Sequence, residues 1–176
     1  MTPLAGIKVL AVEIGAAGPW CSRLLADMGA EVVKIEPLEG DLTRNWDGVC
    51  NGLSAAHVFL NRNKQSLALN LKSDEGREIF LKLAAEADVV FENFKPGVVA
   101  RLGIDYEAVR AVKADIIYGH ISGFGQDGPY RDEKAYDLII QGEAGYILMT
   151  GSPDAPAKIP ISVCDETAGF YAALGI

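Results

Sequence analysis

The sequence is short of positive charge. Sixteen lysines and arginines stand against 24 aspartates and glutamates, a formal net charge of −8. A general nucleic-acid binder needs a basic face, so that class is excluded. An anionic small ligand is not, because a few local cations outweigh a distant acidic surface. Cysteine is scarce too: Cys21, Cys50 and Cys164 are odd in number, widely spaced and lack a CxxC. That speaks against a disulfide framework or a zinc site, and reduced thiols fit a cytoplasmic protein. There are only two histidines, His57 and His120, each without a second ligand nearby, so both read as structural and no metal is expected. No GxSxG occurs, which leaves a serine hydrolase without support. No apolar run reaches the length of a membrane span. The short run after Lys8 reads as a first strand, not as the core of a signal peptide. Internal repeats and low-complexity linkers are absent.

What is present is a globular composition: 176 residues, 49% hydrophobic and 23% charged, enough for one domain with a core. GIKVLAVEI reads as a buried strand, CSRLLADMGA as a helix ending at glycine, and EVVKIE as a second strand. Together they form a βαβ unit with a right-handed crossover. Residues 37–65 are irregular. SLALNL is a third strand, and SDEGREIFLKLAAEA is a helix with Ser73 as N-cap and acids in its first turn. ADVVFEN and ADIIYGHIS are further strands, with PGVVARLG and DYEAVRAVKA as short helices between them. Helices are expected from Tyr136 to Thr150 and from Asp165 onward. The alternation predicts an α/β fold, a Rossmann-like, mainly parallel sheet with flanking helices.

Several stretches carry candidate chemistry. In GAAGP, Gly15 and Gly18 let the backbone approach a ligand, and the following helix offers free N–H groups to an anion. Glu36 lies 21 residues after Gly15, as in a dinucleotide fingerprint, but that pattern needs a third glycine. The alternative is a plain strand–helix turn with Pro19 at the first helical position. A literal GxGxxG at Gly123, Gly125 and Gly128 follows a strand but opens no helix, so it reads as a loop beside a site. Arg62, Lys64, Lys95 and Arg101 stand at loop positions where α/β proteins bind ligands. Asp165 is a carboxylate in an otherwise apolar run. It reads as an N-cap, and a carboxylate at a helix N-terminus stays ionised and can serve as a nucleophile where water is scarce.

PLAGIKVLAVEIGAAGP, LLADMGAEVVKIEPLEGDLTR, LNRNKQSLALNLK, ADVVFENFKPGVVARLGIDY, ISGFGQDGPY, YDLIIQGEAGYILMTG and SVCDETAGFYAALGI run in order through almost the whole chain. In these stretches the sequence resembles the N-terminal part of the family III CoA-transferases. The resemblance implies that residues 1–176 form the N-terminal part of a large α/β domain, with the C-terminal half of the family's chain, including a smaller domain, missing. It implies two subunits interlocked as rings. Asp165 matches the family's nucleophile. Asn93, Phe94, Arg101, Leu69 and Lys134 match residues that hold CoA, and Gly15 and Ala16 of the turn are expected to bind it as well. Coenzyme A or an acyl-CoA enters as substrate, with a small carboxylic acid as the other partner and no tightly bound cofactor. Some members carry Gln where Ala16 stands. The related α-methylacyl-CoA racemases carry a catalytic His where this chain has Tyr136. A racemase, a nicotinamide enzyme and a non-catalytic CoA-binding or oligomerising fragment are the alternatives.

Overall fold

The computed structural model describes residues 2–176. Five parallel strands form the sheet: β1 (Lys8–Val12), β2 (Glu31–Glu36), β3 (Lys64–Ala68), β4 (Val89–Glu92) and β5 (Ile117–His120). Their order is β3-β2-β1-β4-β5. The helices are α1 (Ala17–Asp27), α2 (Ala55–Asn61), α3 (Asp74–Ala85), α4 (Val98–Leu102), α5 (Tyr106–Val112), α6 (Asp137–Glu143), α7 (Tyr146–Met149) and α8 (Val163–Gly175). The strand order reverses at β1, where the chain turns from β2 and β3 on one side to β4 on the other. An open parallel sheet binds ligands at the carboxyl ends of its strands at such a switch point.

Period-two alternation gives the central strands two buried faces. Leu10, Val12 and Val90 face α3 and α5, packing on Phe80, Ala84, Ile104 and Val109. Val9, Ala11, Val89 and Phe91 face α1, packing on Cys21 and Leu25. The α8 helix then lies along α1 on that second face. Gly169 makes the approach possible, since a Cβ there would lie 2.6 Å from the Ala17 carbonyl oxygen.

Element order follows the sequence-based expectation, and several boundaries differ. Ser73 caps α3 as expected, accepting the Gly76 N–H. Strand β3 begins at Lys64, where Lys64 and Gln65 pair with Val32 and Val33. The irregular stretch contains a 3-10 turn at Leu42–Asn45, capped by Asp41, as well as α2, capped by Ser54. Pro19 is the third residue of α1, not the first. It is still inside the first turn, where a missing N–H costs no helical bond. The helix expected over 136–150 breaks at Gly145, whose φ of 81° is left-handed. A small hairpin, β6 (Gly151–Ser152) with β7 (Ala155–Pro156), was not expected. Asp165 is the third residue of α8 and not its N-cap; Ser162 holds that position and its side chain makes no capping bond.

Candidate active site

Without a cap of its own, α8 takes one from another helix. Asp137, the first residue of α6, accepts the Cys164 N–H at 2.8 Å and the Asp165 N–H at 3.4 Å through Oδ1. Its Oδ2 accepts Gln141 Nε2 at 2.6 Å. Gln141 is fully buried. It also donates to the Ile159 and Ile161 carbonyls, and its Oε1 accepts the Ile159 N–H at 2.8 Å. Asp137 and Gln141, one helical turn apart, therefore tie down the segment that delivers Asp165.

Asp165 is half-buried and lines a cavity of about 150 Å³ with Asn93, Ser122, Gly123, Tyr136 and Cys164. Burial, then the nearby charges of Asp137 and Glu166, push its carboxyl up to about 6. The helix N-terminus favours the ionised form, but desolvation and two like charges outweigh it. Asp165 remains mostly carboxylate at neutral pH, yet is more basic than a solvated one. This corrects the simple picture of a carboxylate stabilised by a helix end.

The cavity sits over the switch point. The Asn93 side chain reaches from β4 to the residues after β1, accepting the Ile14 N–H at 2.9 Å and donating to the Ile14 carbonyl at 2.8 Å. Gly18 is needed here, because a Cβ would meet Asn93 Cγ at 2.7 Å. Glu13 pins the same turn from the other side, accepting Ser22 Oγ at 2.7 Å and Lys64 Nζ at 2.8 Å. The GAAGP turn is thus braced by the protein itself. Of its residues Ala17 reaches the small cavity; Gly15 and Ala16 lie just before it in the chain.

A second cavity of about 400 Å³ opens at the same edge of the sheet, on the α4 face. Leu69, Leu71, Phe94, Val98 and Leu102 give it an apolar wall. The structure therefore brings Leu69 and Phe94 together in one cavity and puts Asn93 in the other. Arg101 is exposed on α4, between wall residues of the larger cavity, and Lys134 is exposed beside Ala135 of the smaller one. Lys72 also lines the larger cavity. Its position just past the third strand, in LNLK, is the sequence signal that points to it.

Other sequence candidates are committed elsewhere. The carboxylate of Glu36 accepts Arg44 on both oxygens, at 2.8 and 2.7 Å, as well as Ser66 Oγ and the Asp41 N–H. Arg44, foremost after burial is offset, holds it down to about 2, so no ribose is awaited there. Arg62 pairs with Asp27, and buried Lys64 with Glu13. Lys95 Nζ donates to the Asp132 carbonyl. His57 Nδ1 lies 2.9 Å from Thr43 Oγ1, and burial lowers its pKa, consistent with a structural role. His120 is bonded through Nδ1 to Glu92. Gly125 and Gly128 sit in exposed turns, and no helix follows them directly.

The family model described as CoA-transferase family III matches residues 4–176. The chain is 44% identical to the succinate–glutarate CoA-transferase of Agrobacterium fabrum, covering 99% of this chain and 46% of that one. It is 38% identical to the formyl-CoA:oxalate CoA-transferase of Escherichia coli, covering 99% and 43%. A CaiB/BaiF family protein from Brucella suis superposes with a TM-score of 0.93 at 43% identity, over 99% of this chain and 48% of that one. The chain spans about half the length of these relatives.

Proposed function

The chain belongs to CoA-transferase family III, and from that premise we propose that it is the nucleophile-bearing, N-terminal part of a large α/β domain that moves CoA from an acyl-CoA to a small carboxylate. The observation that carries this reading is Asp165: a half-buried carboxylate of raised basicity, at a helix N-terminus, in a small cavity beside a larger apolar one. The larger cavity takes the body of CoA along Leu69 and Phe94, with Lys72, Arg101 and Lys134 available to its phosphates. The acyl end enters the smaller cavity. Asn93, its amide already engaged with Ile14, acts mainly by shaping the floor between them.

A carboxylate oxygen of Asp165 attacks the thioester carbonyl carbon. The C–S bond breaks, CoA leaves as thiolate, and a mixed anhydride forms. The thiolate then attacks the aspartyl carbonyl, giving an aspartyl-CoA thioester and releasing the first acid. A second carboxylate attacks that thioester and the steps run in reverse, so Asp165 is regenerated. Partial burial serves this sequence in two ways: it weakens the hydration of the nucleophile and keeps water from the anhydride. Neither step needs a tightly bound cofactor.

The racemase alternative would need an imidazole where Tyr136 lines the small cavity; His120 is bound to Glu92 and is not among the lining residues. The full assembly is read as an interlocked homodimer in the cytoplasm, where its three free cysteines would stay reduced. No helix among the described residues is long and apolar enough to cross a membrane. The relatives' printed substrates make dicarboxylates and their CoA esters the first acids to try.

The test is intact mass after incubation of the full-length protein with acetyl-, succinyl- and formyl-CoA. An acyl or CoA adduct on the parent, lost with hydroxylamine and missing in Asp165→Asn, is the expected result. An adduct that persists in Asp165→Asn, or silence with every donor and acceptor pair that turns over, would sink the aspartyl mechanism.

A further inference from the structure

Ser122 follows β5 and lines the small cavity with Asp165. Its Oγ is buried and has no hydrogen-bond partner among the described residues. A buried hydroxyl left unpaired bears the full cost of its lost hydration. Native folds keep such a group where another molecule or a function completes it. The wall around it is built to hold it in place. A Cβ on Gly123 would lie 1.9 Å from Ala135 Cβ, so glycine alone lets this loop close against residues 135–136. Two residues back, His120 is bonded to Glu92, whose other oxygen accepts the Phe94 N–H at 2.7 Å. The exit of β5 is thereby fastened to the exit of β4.

The cavity needs a donor. Asp165 supplies acceptors, the Asn93 amide is shared with Ile14, and the Cys164 thiol is a weak donor. Tyr136, the other hydroxyl at the cavity, is largely exposed to solvent, whereas the Ser122 hydroxyl is buried. An acyl carbonyl under attack by Asp165 gathers negative charge on its oxygen. We infer that Ser122 Oγ–H donates a hydrogen bond to that oxygen, making Ser122 a catalytic residue of the acyl-binding cavity. The inference rests on reading Asp165 as the nucleophile. As the Asp165 oxygen bonds to the thioester carbon, the carbonyl π pair moves onto oxygen and is held by the Ser122 hydroxyl. Its return re-forms the double bond and expels the CoA thiolate. The serine proton stays on Ser122 throughout.

Loss of one such donor costs about 10²-fold in kcat. Ser122→Ala in the full-length protein should show that loss, with KM for succinyl-CoA changed less than about threefold, since the bond strengthens only as charge develops. Ser122→Thr keeps the hydroxyl and should recover most of the rate. A second readout does not depend on the nucleophile. In Asp165→Asn, bound succinyl-CoA carrying carbon-13 at its thioester carbonyl should show an infrared band at lower wavenumber than after Ser122→Ala is added. A normal rate in Ser122→Ala together with an unmoved band overturns the assignment, whatever Asp165→Asn does. Full turnover by Asp165→Asn would instead remove the aspartyl mechanism, while the band would still report whether Ser122 touches the carbonyl.

Discussion

Asp137 does two opposed things to Asp165. Its oxygen caps the helix that carries the proposed nucleophile, and its charge makes that carboxyl harder to ionise. A carboxyl raised to about 6 is protonated below that pH, and only the ionised form attacks, so turnover should fall as pH drops through about 6. In Asp137→Asn the amide oxygen still accepts the Cys164 N–H, but the like charge is gone. The acid limb of the kcat profile should therefore move to lower pH, and the plateau should drop modestly because a less basic carboxylate is a weaker nucleophile. A pH–rate profile of both proteins checks the pair of effects. An unmoved acid limb would mean that another group sets it. The amide nitrogen now facing Gln141 Nε2 should cost about 1 kcal/mol of stability, read by thermal melting.

Helices α1 and α8 form the unit that positions Asp165, and their closeness depends on Gly169. Gly169→Ala would drive a methyl toward the Ala17 carbonyl, Trp20 Cδ1 and the Cys21 amide, 2.6, 2.9 and 3.1 Å away. Two of these are backbone atoms that cannot swing aside, so α8 must shift. A loss of about 1–3 kcal/mol is expected on overpacking grounds, with a fall in kcat larger than that of Asp165-distant surface changes of equal stability cost. Elements of this kind were legible in the sequence as periodicity: the strands and the helices flanking them follow from apolar spacing and caps such as Ser73. What was not legible was help from far along the chain. Lys64 opens β3, despite its charge, because Glu13 waits 51 residues earlier. The α8 helix starts at Val163, despite an idle Ser162, because Asp137 caps it from α6. Family likeness singles out Asp165 and Asn93, whereas the division of Asn93 and Phe94 between two cavities, and the unpaired Ser122, depend on how distant segments meet in the fold.

Across the whole molecule, two surface properties pull in opposite directions. Phe170, Tyr171 and Leu174 on α8 are more than half exposed, and so are Leu148 and Met149 on α7. Exposed apolar area of this kind on two successive helices favours association. Against association stands a net charge of −8, which makes copies of the chain repel one another. Repulsion between exposed charges is screened as the Debye length shrinks from about 30 Å at 0.01 M salt to about 8 Å at 0.15 M, whereas apolar burial is not weakened by salt. The 176-residue chain should therefore associate more strongly as salt is raised over this range, which sedimentation equilibrium would record as a rising average mass. Phe170→Gln with Leu174→Gln removes two apolar side chains on adjacent turns of one helix face and should return the chain toward monomer at every salt concentration, with its far-ultraviolet dichroism unchanged. Association that weakens with salt would point instead to ionic contacts between copies, and a monomer throughout would mean that this face serves contacts the chain does not make with itself.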